Sequence, residues 1–374
     1  MSEANQGASV SLRNLTKVFP GVATPAVDRA SLDIAPGEFM TLLGPSGSGK
    51  TTTLNMIAGF TKATSGEILV NEKNVVALPA HKRNMGMVFQ QYALFPHMTA
   101  TENISFPLEQ RKISKTDIKQ KVKDALALVH LEDYGHRYPK QMSGGQQQRV
   151  AVARALVFSP QVLLMDEPLG ALDKRLRERL QVELARIHRN LGLTFIFVTH
   201  DQEEALSLSN RIAVFNEGKI EQVGSSTELY ERPKTLFVAG FLGDSTVLPG
   251  QVSSGMVNVK GQTFATSNTS TFAERDQVGV VIRPERISIH EQAPVDSNSV
   301  SALVTDIVYL GSSRKLVCEV FDGIPAIVSE TAAELTNVRP GDTVFLSWKG
   351  EDSVAVPATE FDILKAVGVD SEFK

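Results

Sequence analysis

The chain is poor in the features that would tie it to disulfides, to nucleic acid or to a membrane interior. Its 374 residues include one cysteine, Cys318, which excludes an intrachain disulfide framework and suits a reducing compartment. The formal net charge is -4, so no basic surplus points to nucleic-acid binding. Apolar runs such as VLLM and TFIFV fall far short of the roughly 20 residues that a spanning helix needs. The opening MSEANQGASV lacks a basic stretch followed by an apolar core and does not read as a secretory signal. A role at a membrane would therefore require another chain to bring this one there. Low-complexity stretches and clear repeats are also missing.

What is present is an ordinary globular balance, 42% hydrophobic and 21% charged, at a length that suits two or three domains. Residues 1 to about 243 alternate short apolar runs with helical stretches, the pattern of a largely parallel α/β sheet. EFMTLLG, QVLLMDEP and LTFIFVTH each read as a strand ending in polar residues. Continuous apolarity without alternation is what a strand covered on both faces requires. A more helical part is expected over about 92–160. There Ile118, Val122, Ala125, Leu126 and Val129 recur at helical spacing, and Lys115, Lys119, Lys121 and Lys123 form a solvated face. After Gly243 the period shortens. GVVIRPERISI, ALVTDIVYLG, KLVCEVF and DTVFLSW, punctuated by turn residues, predict a small all-β barrel or sandwich over 244–374.

The strongest motif is GPSGSGKT: Gly44, Pro45, Ser46, Gly47, Ser48, Gly49, Lys50 and Thr51. It follows one predicted strand and opens a helix, the context a phosphate loop needs. Glycine lets the backbone curl so that its N–H groups face an anion, and the helix adds its positive end. Lys50 is placed to reach the terminal phosphates, the Thr51 hydroxyl to bind Mg²⁺, and Thr52 to add a phosphate contact.

VLLMDEP delivers two adjacent carboxylates at a strand end. Asp166 is placed to hold Mg²⁺, and Glu167 to orient or deprotonate an attacking water. Alternation along a strand sends the two to opposite sides. TFIFVTH delivers His200 at another strand's C-terminal end, where α/β sheets put ligand chemistry and where a γ-phosphate could be sensed. In MSGGQQQRVAVARAL, Ser143 reads as a helix N-cap, with Gly144 and Gly145 exposing N–H groups at the helix start. That makes a second anion site in a chain that already has one.

The same stretch closely resembles the LSGGQ signature of ABC ATPases, with Met142 in place of leucine, a volume-conserving swap. The resemblance spans about 1–240 and implies an ABC cassette with a helical subdomain. It implies that Ser143, Gly144, Gly145 and Gln146 of one subunit complete the ATP site of another, in a head-to-tail dimer of two copies. It further assigns Gln90 in MVFQQYALFPHMT to the Q-loop, touching Mg²⁺ or water, and Asp173 in LGALD to the D-loop. Glu167 becomes the catalytic glutamate, His200 the switch histidine, and Phe19 in LTKVFPG the aromatic that stacks on adenine.

ELARIHRNLGLTFIFVTHDQEEALSLSNRIAVFNEGKIEQVGSSTELYERP is similar to ATPases of binding-protein-dependent importers. LFVAGFLG and VIRPERI resemble subunits with a C-terminal TOBE-type β domain. Within that group the polyamine (spermidine/putrescine) importers look nearest, with ferric iron, phosphonate and sugar importers close behind. This implies ATP and Mg²⁺ as ligands, membrane permease subunits and indirectly a solute-binding protein as partners, and a peripheral place on the cytoplasmic face of the plasma membrane. A soluble ABC ATPase not coupled to transport is the alternative class. The transported solute would not touch this chain, so no pocket in it should encode the solute.

Overall fold

Residues 7–359 except Ala171, Asp322 and Glu334 are described by the computed structural model. They fall into two compact units that divide between Ser226 and Thr227.

In the first unit the strands are β1 (Val10–Lys17), β2 (Val27–Ile34), β3 (Phe39–Leu43), β4 (Ser65–Val70), β5 (Lys73–Asn74), β6 (Met85–Val88), β7 (Val162–Asp166), β8 (Thr194–Thr199), β9 (Arg211–Asn216) and β10 (Lys219–Gly224). The helices are α1 (Lys50–Ala58), α2 (Ala100–Gln110), α3 (Lys115–Leu128), α4 (Gly144–Leu156), α5 (Lys174–Leu191) and α6 (Gln202–Leu208). The main sheet runs β10-β9-β3-β8-β7-β6, parallel from β9 to β6, and an antiparallel sheet runs β2-β1-β4-β5.

The three apolar runs become β3, β7 and β8, buried on both faces as expected. Their alternate side chains feed two cores, as a period of two demands. Phe195 and Phe197 of β8, with Leu163 and Met165 of β7, face α2 to α5 through Ile104, Leu126, Val150 and Leu184. Ile196 and Val198, with Val162 and Leu164, face α1 and the antiparallel sheet through Leu54, Ile57, Leu12 and Ile68. α3 starts behind Ser114, whose hydroxyl accepts from the Asp117 amide, and buries Val122, Ala125 and Leu126. Its four lysines are exposed.

Among the described residues, the second unit contains α7 (Ser226–Glu231, whose first residue closes the first unit), α8 (Leu236–Phe241) and ten strands. These are β11 (Thr246–Ser253), β12 (Met256–Val259), β13 (Gln262–Phe264), β14 (Gln277–Ile282), β15 (Ser288–His290), β16 (Asn298–Tyr309), β17 (Ser313–Val320), β18 (Ile324–Thr331), β19 (Thr343–Trp348) and β20 (Ser353–Pro357). Two antiparallel sheets, β13-β12-β11-β14-β20 and β15-β19-β16-β17-β18, enclose one core that holds Phe264, Val280, Leu316, Val328 and Trp348. The Thr246 hydroxyl on β11 accepts from the Ile327 amide on β18 at 2.9 Å and joins the sheets along one side.

The compact units divide before the expected boundary at 243/244. Short β-runs mark where strands begin, but α7 and α8 already belong to the β unit's packing. Leu236 and Ala239 bury against Val247, Val281 and Val356. Buried Arg283 donates to the carbonyls of Tyr230 and Ala239 and to the Ser245 hydroxyl.

Cys318 lies fully buried on β17, and that burial pushes its thiol up to about 11. Since the thiolate is the reactive form, a disulfide reagent at pH 8 should leave the folded protein untouched and label one thiol on unfolding. Rapid labelling of the native protein would contradict this packing.

Candidate active site

The C-terminal ends of β3, β8, β7 and β6 emerge along one edge of the parallel sheet. Leu43 pairs with Thr199, Asp166 with Val198 and Val88 with Met165, so four loops leave side by side. The first is the phosphate loop, Gly44–Lys50. Gly49 has φ 101°, and a Cβ there would sit 2.4 Å from the Ala26 carbonyl, so the position requires glycine twice over. No side chain caps α1, which leaves its first N–H groups to an anion.

Lys50 is 4% exposed, and its Nζ donates to the Gly44 and Pro45 carbonyls at 2.8 Å and to Ser48 Oγ at 3.3 Å. Burial pushes the ammonium below its usual range, and Glu167 and Asp166 pull it back. Thr51 Oγ1 donates to Asp166 Oδ1 at 2.9 Å, bringing two of the expected metal ligands together. Burial raises the Asp166 carboxyl, the Thr51 bond lowers it, and the Glu167 charge raises it again. Thr52 is half-buried beside them.

Glu167 does not part from Asp166 by strand alternation. β7 ends at Asp166, and Glu167 takes a left-handed backbone, φ 42°. This turn aims the side chain along the next loops: its Oε2 accepts from Gln90 Nε2 at 3.0 Å, and its Oε1 lies 3.3 Å from His200 Nδ1. Such a conformation costs about 1–3 kcal/mol and persists where packing dictates it. Gln90 from the β6 loop and His200 from the β8 loop thus converge on one carboxylate.

The remaining predicted residues stand apart from that cluster. Ser143 Oγ accepts from the Gln146 amide at 3.3 Å, and Gln146 Oε1 accepts from the Ser143 amide at 2.9 Å, a capping box at the start of α4. Gly145 packs so closely on α5 that a Cβ would meet Leu176 Cδ1 at 2.9 Å, and Gly144 adjoins Leu172. Asp173 caps α5 by accepting from the Leu176 amide at 3.0 Å. Among the described residues no direct hydrogen bond joins Ser143, Gly144, Gly145, Gln146 or Asp173 to Lys50, Asp166 or Glu167. Phe19 is 41% exposed, with Lys17 Nζ 4.8 Å from its ring centroid, which leaves aromatic area open to a planar ligand.

Sequence reasoning missed a polar cluster around His200: Thr199, Asp201, Glu204 and Arg177. Asp201 carried a signal, an Asp three residues before Glu204 at a helix start. The burial of Glu204, at 2% exposure, carried none.

A family profile described as "ABC transporter" matches residues 27–170, and one described as "TOBE domain" matches residues 280–356. The "Spermidine/putrescine import ATP-binding protein PotA" of Thermobifida fusca (strain YX) is 44% identical, covering 95% of this chain and 96% of its own. The chain belongs to the ABC transporter ATP-binding family. Its relative of the same name from Marinobacter nauticus is 45% identical over 91% of this chain and 92% of its own. Among solved structures, "Dimeric Structure of MJ0796, a Bacterial ABC Transporter Cassette" matches with a TM-score of 0.53 at 34% identity, over 58% of this chain and 98% of that one. A "post-hydrolysis state of the ATP-binding cassette MJ0796 bound to ADP and Pi" matches with a TM-score of 0.52, again at 34% identity, over 58% and 98%. Among the described residues of this ABC chain no helix is long and apolar enough to cross a membrane.

In this ABC site the Lys50 ammonium is the buried cation of the phosphate loop. Lys50→Ala should weaken ATP binding by about tenfold or more, the worth of a charge-assisted bond. Equilibrium titration with a non-hydrolysable analogue checks this, and unchanged affinity would contradict the assignment.

Proposed function

We propose that this chain is the ATP-hydrolysing subunit of a polyamine importer and works as a head-to-tail dimer on permease subunits. The observation that carries the hydrolytic part is Glu167, held between Gln90 and His200 on the edge that also presents Lys50, Thr51 and Asp166. The solute rests on the relatives named for spermidine/putrescine import, 44% identical over nearly the whole chain.

Residues Gly44–Thr52 bind the phosphates, with N–H groups from the loop and α1 and the Lys50 ammonium facing their charge. The Thr51 hydroxyl and the Asp166 carboxylate are hard oxygen donors 2.9 Å apart, and Gln90 Oε1 is a third. Among the described residues no cluster of three or more His, Cys, Asp and Glu could cage a metal alone. With a single carboxylate among neutral oxygens, that donor set suits Mg²⁺, which is held by one or two carboxylates and leaves other places to phosphate and water. When bound, Mg²⁺ neutralises phosphate charge. Glu167 accepts a proton from the attacking water and Gln90 fixes that carboxylate, while His200 faces the γ-phosphate from the neighbouring loop. Phe19 stacks on the adenine.

The signature Ser143–Gln146 stands outside the chain's own site, with Ser143 exposed at the start of α4. A second copy, related by a twofold axis, presents that surface to the nucleotide and receives the same in return, so closure depends on bound ATP. Asp173 lies at that interface. The permease then carries the change across the membrane, with this chain on its cytoplasmic face.

Glu167→Gln should keep ATP binding and slow hydrolysis by about a hundredfold or more, roughly 3 kcal/mol of barrier. Near-normal phosphate release by that variant removes Glu167 from its role. Cells lacking the chain should lose uptake of labelled putrescine and spermidine, and the native chain but not Glu167→Gln should restore it. Loss of ferric or sugar uptake instead would keep the ATPase and discard the polyamine. No uptake defect, with the protein recovered away from membranes, would favour an ABC ATPase uncoupled from transport.

A further inference from the structure

We infer that Arg177 is a positioning residue for His200, clamping both flanks of the histidine and tying them to the segment that precedes α5. The inference rests on the ATPase reading of His200 given above.

Arg177 lies one turn into α5, its amide donating to the Asp173 carbonyl at 2.9 Å. Its guanidinium hydrogen-bonds one acceptor ahead of α5 and one at the start of α6, and it pairs with Glu204 of α6 by charge alone. Nη2 donates to the Leu172 carbonyl at 3.2 Å, Nη1 donates to Asp201 Oδ2 at 2.8 Å, and Nε lies 3.6 Å from Glu204 Oε1. Glu204 is almost fully buried, and burial raises its carboxyl while Arg177 lowers it. An unpaired carboxylate there would be costly, so Arg177 neutralises the cluster as well as aiming it.

The acceptors are wired to the histidine's neighbours. Thr199 Oγ1 donates to Glu204 Oε2 at 2.6 Å and accepts from the Asp201 amide at 3.0 Å. Asp201 Oδ1 accepts from the Glu204 amide at 3.1 Å. Residues 199 and 201, on either side of His200, are therefore fixed to one guanidinium. The ring itself stays 56% exposed on its side chain and 3.3 Å from Glu167 Oε1. Arg177 makes none of the hydrogen bonds or ion pairs of Glu167 or Lys50 and acts through the histidine's backbone. A planar fork with five donors spans such a set, whereas a lysine ammonium serves one direction well. A displacement of the Leu172 carbonyl would reach His200 through this single side chain.

The test is steady-state ATPase of the full chain, read by radiolabelled phosphate release, for Arg177→Met and Arg177→Lys in native and His200→Ala backgrounds. With His200 present, Arg177→Met should lower kcat roughly 10- to 100-fold, the scale of a catalytic group displaced by about 1 Å. KM for ATP should stay within about threefold, and Arg177→Lys should recover part of the rate. In the His200→Ala background Arg177→Met should cost less than about twofold. An equal loss in both backgrounds, or a change confined to KM, overturns the inference. A silent His200→Ala would instead sink the histidine's role and the clamp with it. Because Arg177→Met strands Glu204, Arg177→Met with Glu204→Gln is the folding control. If it recovers both the native melting temperature and the native kcat, Arg177 serves the fold alone; recovery of melting temperature without kcat supports the clamp.

Discussion

The constraint on which the site depends is the parallel pairing of β3 between β8 and β9. The strand that bears the phosphate loop comes early in the chain, yet it inserts beside strands that follow some 150 residues later. Only this insertion sets Leu43 opposite Thr199, one strand away from Asp166. The register is fixed by the two cores. Phe195 and Phe197 fill one face and Ile196 and Val198 the other, so a slip of one residue would exchange a bulky aromatic layer for a branched one. The chemistry inherits its precision from that packing.

Charges at the edge are arranged against the same background. Burial presses the Lys50 ammonium toward neutrality, two carboxylates oppose that shift, and the ammonium donates to two loop carbonyls. Asp166 is buried in turn and pressed toward protonation, with Thr51 opposing. In each case burial disfavours the charged form and a neighbouring charge or hydrogen bond opposes it, an arrangement typical of sites that meet a highly charged ligand. The left-handed turn at Glu167 adds a further local cost, offset by the fully buried strands on either side.

The β unit follows different rules. β18 alternates, one face inward and one outward, whereas β14 is buried on both, and the two sheets share a core closed by stacked Phe264 and Trp348, with centroids 5.3 Å apart. Arg283 shows how a polar side chain can brace such a unit from outside the core. Buried at 4% exposure, it satisfies the carbonyls of Tyr230 and Ala239 and lies over the Tyr230 ring. A run reading VIRPERI signals the strand but not this role.

Local patterns by themselves determined much of the protein. The glycines, lysine and threonine of GPSGSGKT, Asp166 after VLLM, the Ser143 cap and the helix after Ser114 all follow from nearest-neighbour chemistry, and all lie where that chemistry sends them. Glu167 and His200 were legible as strand-end residues and Gln90 through the family resemblance, but the convergence of Gln90 and His200 on the Glu167 carboxylate was not, because it depends on strand order. Alternation misjudged how Glu167 leaves β7, since a backbone turn imposed by packing leaves no mark in the sequence. The same holds for α7, which Arg283 ties to the β unit through the Tyr230 carbonyl, for α8, which packs there through Leu236 and Ala239, and for Glu204, whose burial beside Arg177 arises from segments distant in the chain. Sequence dictates what each residue can do with its neighbours along the backbone, and the tertiary fold decides which distant groups share a low-dielectric space.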